Sequence, residues 1–161
     1  MKLGKLIVDS SPIISLANIG CADLLIDLSS ELIIPKGVFE EVTDYHQDDL
    51  AVIWIQNKLS YVRETGVPPI ISEWDLGKGE SQVLAFALTN KNFYTVIDDK
   101  PARNCAKVFN IKTYGTLSII IKAKQFNFIK NVKPLLSKLQ ENGFRVSDTL
   151  IETILTLADE F

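Results

Sequence analysis

The chain has 161 residues, 47% apolar and 23% charged, with a formal net charge of −3. That balance excludes a disordered chain and predicts one folded domain over residues 1–161 with a core of its own. Two cysteines and one histidine are too few for a disulfide framework, a zinc cage or a pair of catalytic imidazoles, and they fit a reducing cytoplasm.

Lys5 to Val8 is a short apolar run that stops at Asp9, as a buried strand does. Ser10-Ser11-Pro12 follows, which predicts a helix with Ser11 as N-cap and Pro12 at its first position, ending near Gly20. Cys21 to Leu28 reads as a second helix. Leu32 to Ile34 reads as a second strand, closed by Pro35. Lys36 to Tyr45 and Asp48 to Leu59 read as helices, the latter with Val52, Ile53 and Ile55 inward. Val62 to Ser72 reads as extended or loop. Lys78 to Leu88 carries Val83, Leu84, Ala87 and Leu88 at helical spacing. Tyr94 to Ile97 is a third strand, ending at Asp98-Asp99. It is followed by a helix over Lys100 to Phe109, a strand over Ile111 to Tyr114 and a helix over Thr116 to Lys124. Two helices close the chain, Val132 to Glu141 and Ser147 to Glu160, the last expected to be core. Short buried strands alternating with helices predict an α/β fold around a parallel sheet. No apolar run reaches the roughly 18 residues that a spanning helix needs, and no secretory signal is apparent.

Charge is unevenly divided. Residues 1–80 hold 13 carboxylates against 6 basic side chains, and residues 81–161 hold 7 against 11. Solubility alone accounts for that asymmetry, but an acidic cluster beside a basic surface also suits a hard cation and a phosphate. Open parallel sheets bind ligands beyond the carboxyl ends of their strands, where Asp9 and Asp98-Asp99 fall. As single residues these acids read equally as helix caps or turn formers. Glu80 shares the apolar face of its helix, and Glu41 leans toward the apolar side while Glu40 points away. A buried carboxylate needs a partner or a cation, although Glu80 could instead bond backbone N–H groups in a capping box. If Asp9, Glu41, Glu80 and Asp99 converge, oxygen-only donors select magnesium or manganese over zinc. That chemistry suits phosphodiester hydrolysis. Gly77-Lys78-Gly79-Glu80-Ser81 lacks the spacing of a nucleotide-binding P-loop. A flavodoxin-like small-molecule binder remains a third reading.

The ordered segments IVDSSPIISL, IIPKGVFEEV, LGKGESQVLAFA, VIDDKPARNCA and YGTLSIIIKA resemble the PIN domain, and more narrowly the branch related to VapC-type toxins of toxin–antitoxin systems. The resemblance runs from Ile7 to the C-terminal helix. It implies a three-layer α/β/α fold with a central, mainly parallel sheet, and a ribonuclease that uses Mg²⁺ or Mn²⁺. Matched residue by residue, it assigns catalysis to Asp9, Glu41, Glu80 and Asp99. Metal binding falls to Asp9, Glu80 and Asp99 with Asp98, and support to Ser10 and Arg103. Lys100 and Lys107, on the helix after Asp99, become RNA contacts, although a solvated helix face explains Lys107 as well. Many VapC-type toxins carry aspartate where Glu80 stands. The resemblance further implies hydrolysis to a 5′-phosphate and a 3′-hydroxyl, a small antitoxin partner, and a homodimer. The competing reading is a catalytically weak or inactive PIN-fold module that binds RNA or protein.

Overall fold

The computed structural model describes residues 2–47 and 49–160. The elements run β1 (Gly4–Val8), α1 (Ser10–Asn18), α2 (Leu24–Asp27), β2 (Ser29–Pro35), α3 (Lys36–Thr43) and α4 (Leu50–Gln56). They continue with β3 (Val62–Arg63), α5 (Pro69–Ser72), α6 (Lys78–Thr89), β4 (Phe93–Val96) and α7 (Lys100–Val108), then β5 (Thr113–Tyr114), α8 (Thr116–Gln125), α9 (Lys133–Glu141) and α10 (Asp148–Leu157).

All five strands are parallel, in the order β3-β2-β1-β4-β5. Helices pack against this sheet to give the three-layer α/β fold that the alternation of elements predicts. Leu6, Ile7 and Val8 of β1 and Val96 of β4 are fully buried, and they pack with Ile33 and Ile34 of β2 into one core. Such two-sided burial is why these strands read as continuous apolar runs rather than as alternating ones. The chain lays β1, β2 and β3 outward in one direction, then returns to place β4 on the opposite side of β1. Strand order therefore reverses between β1 and β4, and the crevice at their carboxyl ends is where such a sheet offers a site.

Several expectations are corrected. The helix after β1 begins at Ser10 with Asp9 at the N-cap position, not with Ser11 as N-cap. The Asp9 N–H continues the strand pairing by donating to Val96 O (3.0 Å), so the chain passes from sheet to helix without a spacer. Pro12 then sits in the third helical position, still within the first turn, where no intrahelical N–H is needed. The helix expected over Cys21 to Leu28 is confined to Leu24–Asp27. Residues 62–72, expected as extended or loop, do contain an extended edge strand, Val62–Arg63 paired with β2, but Pro69–Ser72 forms a helical turn instead. In α4 the buried arc is Ala51, Val52 and Ile55, while Ile53 is 47% exposed. At about 100° per residue Ile53 falls opposite that arc. The start expected at Asp48 lies outside the described residues. In α10, Ile154 is buried but Leu150 and Leu157 are 42% and 57% exposed, so this helix is less a core element than its composition suggests.

The final helices are tied down by one side chain. Glu160 Oε2 accepts from Val132 N (2.6 Å) and from Lys124 Nζ (3.0 Å), and Oε1 accepts from Lys133 N (3.2 Å). These bonds satisfy the free N–H groups that open α9. Burial pushes the Glu160 carboxyl up, but the three donors outweigh it and hold the group below its ordinary value.

Candidate active site

Asp9 emerges from the end of β1 with only 1% of its surface exposed. Its Oδ1 is buried and meets no hydrogen-bond donor. Although it occupies the N-cap position of α1, its side chain makes no capping bond. Burial pushes its carboxyl up to about 7 from an ordinary 3.8, with the Ser10 backbone lowering it and the charges of Glu80, Glu41 and Asp98 raising it further. The positive end of α1 favours an anion here, yet desolvation wins. A buried carboxylate left with an orphan oxygen among other carboxylates is a group in want of a cation.

Glu41, on α3, is held from two sides. The Ser10 hydroxyl donates to Oε2 (2.8 Å), and the Gly79 N–H donates to Oε1 (2.7 Å). One carboxylate thus joins the first turns of α1 and α6. The approach requires glycine at 79, since a Cβ there would stand 2.9 Å from Glu41 Oε1 and from Val38 Cγ2. Glu40 points away and pairs with Lys78 on the surface (2.8 Å).

Glu80 is half-buried at the start of α6. Its Oε2 accepts from the Gly77 N–H (3.2 Å), the glutamate half of a capping box, since Gly77 has no side chain to return the bond. Both readings of Glu80 are thereby realised, because it caps its helix and its charge still acts on Asp9. Burial raises its carboxyl first, then the charges of Asp99 and Glu41, against the lowering by Gly77.

Asp98 and Asp99 part company after β4. Asp99 caps α7, accepting from Ala102 N at Oδ2 (3.0 Å). Asp98 instead grips the start of α8: Oδ1 accepts from Thr116 N (2.8 Å) and Oδ2 from the Thr116 hydroxyl (2.6 Å). A Cβ on Gly115 would lie 3.0 Å from Asp98 Oδ1 and 3.1 Å from Arg103 Nη1. Arg103 therefore reaches toward the Asp98–Gly115 corner, and among the described residues it forms no ion pair with Asp99. Lys100 and Lys107 are exposed on α7.

The fold thus gathers Asp9, Glu41, Glu80, Asp98 and Asp99 around the carboxyl ends of β1 and β4. They do not close a cage: among the described residues no three acidic, histidine or cysteine side chains are set as ready-made metal ligands. The orphan Asp9 oxygen nevertheless fits a hard divalent cation, and magnesium commonly keeps most of its waters and takes only one or two carboxylates. The sequence reading missed Thr116 and Gly79. The small residues Gly115 and Gly79, each beside a polar element start, were the signal available.

A family model of PIN domains (DUF3368) matches residues 5–160. The chain belongs to the PIN-domain family. A PIN domain is a nuclease fold. No curated protein shows significant similarity to the chain. No described helix of this PIN domain is long and apolar enough to cross a membrane.

Proposed function

We propose that this PIN domain is an endoribonuclease dependent on Mg²⁺ or Mn²⁺. The observation that carries the reading is the buried, unpartnered Oδ1 of Asp9, held among carboxylates at the sheet's switch point. Asp9, Glu80 and Asp99 would hold the cation. Bound there, a divalent cation supplies Lewis acidity toward a phosphate oxygen and lowers the pKa of a water. The chain's own residues prepare the ground. Ser10 fixes Glu41, so that its negative charge faces Asp9 without displacing it. Asp98 anchors α8 through Thr116 and adds its charge from behind. Lys100, beside Asp99 at the start of α7, offers the RNA backbone positive charge at the rim of the acidic centre, and Lys107, in the last turn of α7, extends that charge about 10 Å further along the helix.

The test is cleavage of an RNA pool by the purified protein, with Mg²⁺ or Mn²⁺ titrated against EDTA and Asp9→Asn in parallel. Cuts that need metal and vanish in the variant are the expected result, and equal cutting by both proteins refutes the reading. For the cellular role we propose a cytoplasmic toxin held in check by a small antitoxin, on the strength of the ordered motifs that resemble VapC-type toxins. Induced expression should arrest growth, and Asp9→Asn should not. A protein partner or second copy is supported by Leu50 and Ile53, exposed beside a hollow of about 340 Å³. Sedimentation at micromolar concentration tests the second copy. One observation favours the binding-module reading: Glu41 and Asp98 already have both oxygens engaged within the protein. RNA binding without metal-dependent cleavage would select it.

A further inference from the structure

Tyr45 lies two residues beyond α3, in the connection to α4, and is 55% exposed. Its backbone is fixed, the N–H donating to Val42 O (3.3 Å). The ring helps to line a hollow of about 360 Å³ whose other walls are Ser10, Glu41 and Asp44. Two of those walls belong to the acidic centre. Ser10 follows Asp9 in the chain, and Glu41 is bonded to Ser10 and acts on the Asp9 charge. The hollow is therefore continuous with the site and floored by its residues.

The wall chemistry decides what enters. Asp44 and Glu41 repel a phosphate, and among the described residues that line the hollow none is basic to offset them. An exposed aromatic face beside acceptor oxygens instead suits a flat, uncharged group with N–H donors on its edge. Unpaired RNA bases are read in this way, by stacking on aromatic side chains and by bonds along their edges. We propose that Tyr45 is a stacking platform for one unpaired nucleobase of the substrate, next to the scissile phosphate. This rests on the ribonuclease reading and adds to it a place for the base beside the cut. The base lies against Tyr45, and the backbone it belongs to passes Ser10 toward Asp9.

The experiment uses a single-stranded RNA that the wild-type protein cleaves at one position, together with copies carrying one abasic site at each flanking position. Tyr45→Ala is compared with Tyr45→Phe and Tyr45→Trp. Tyr45 is exposed, so all three should fold, and thermal melting checks that they do. Stacking on an aromatic side chain changes affinity by about 5- to 150-fold per base. Tyr45→Ala should raise KM by that factor with kcat within about twofold, while the aromatic variants stay near wild type. One abasic position should cost the wild type a similar factor and cost Tyr45→Ala nothing further. An unchanged KM in Tyr45→Ala, or losses that simply multiply at every abasic position, overturns the proposal and leaves the ribonuclease intact. If the wild-type protein neither cleaves RNA with Mg²⁺ or Mn²⁺ nor binds it, the ribonuclease reading fails and this one with it.

Discussion

Replacing Asp9 with asparagine should stabilise the protein while removing its chemistry. The carboxyl stands at about 7 in the folded chain against 3.8 in its ordinary setting. A raised folded value means that the native state holds the proton more tightly than the unfolded state. The stability this provides is complete below about pH 4 and is lost as pH rises through about 7. Three pH units correspond to about 4 kcal/mol by linkage at about 1.4 kcal/mol each, and no solvent discount applies to a side chain 1% exposed. Asparagine carries no charge to desolvate, but an unmatched buried amide costs about 1–3 kcal/mol. Asp9→Asn should therefore lose about 1–2 kcal/mol at pH 4 and gain about 1–3 kcal/mol at pH 8. For a chain of this size that is a rise in Tm of about 2–10 °C. Urea denaturation of both proteins at pH 4 and pH 8, with EDTA throughout, measures it. The reasoning would be refuted by an Asn variant no more stable than wild type at pH 8, or by a difference that does not change with pH.

Four further outcomes follow from the same geometry. A cation competes with the proton for Asp9, so Mg²⁺ should raise the wild-type Tm more at pH 8 than at pH 6 and leave Asp9→Asn unmoved; cleavage should climb about tenfold per pH unit up to about 7 and then level, and a flat profile contradicts the assignment. Gly79→Ala ought to improve helix propensity by about 1 kcal/mol, but its Cβ meets Glu41 and Val38 at 2.9 Å, so a net loss of about 1–2 kcal/mol in denaturation, with reduced cleavage, is expected. Lys100→Ala with Lys107→Ala should weaken RNA binding evenly across sequences and lower the slope of log K against log salt by about one to two, read by anisotropy; an unchanged slope returns both lysines to plain surface charge.

Much of this architecture is legible in the sequence because its strands are buried on both faces. Continuous apolar runs such as Leu6 to Val8, short and bounded by turn formers, read as central strands, and the acids that end them fall at the ligand edge of the sheet by topology. Edge strand β3 is not legible, since two residues paired through backbone groups carry no side-chain pattern. The start of α1 is misread because Ser10-Ser11-Pro12 is a strong capping signature, whereas the strand pairing of Asp9 with Val96 decides where the helix begins. For the site, sequence spacing places Glu41 and Glu80 on inward faces but cannot say what they touch. That Glu41 is bound by Ser10 and Gly79, and Asp98 by Thr116, depends on elements brought together across the sheet. Ile53 and Leu157 show the opposite failure, in which apolar character is taken for burial that the packing does not provide.

The pairing of β1 with β4 sets residue 5 against residue 93, and this governs when the acidic centre can exist. Closing a chain segment of that length carries an entropy cost on the order of 4 kcal/mol, which must be met before the β1–β4 ladder returns anything. On the ribosome, β1, β2 and Asp9 emerge long before Ile97, Asp98 and Asp99. A nascent chain halted before β4 holds Asp9, Glu41 and Glu80, three of the five carboxylates, and no crevice to put them in. The site is therefore complete only after most of the protein has been made and docked, and the non-local step of folding is also the step that assembles it.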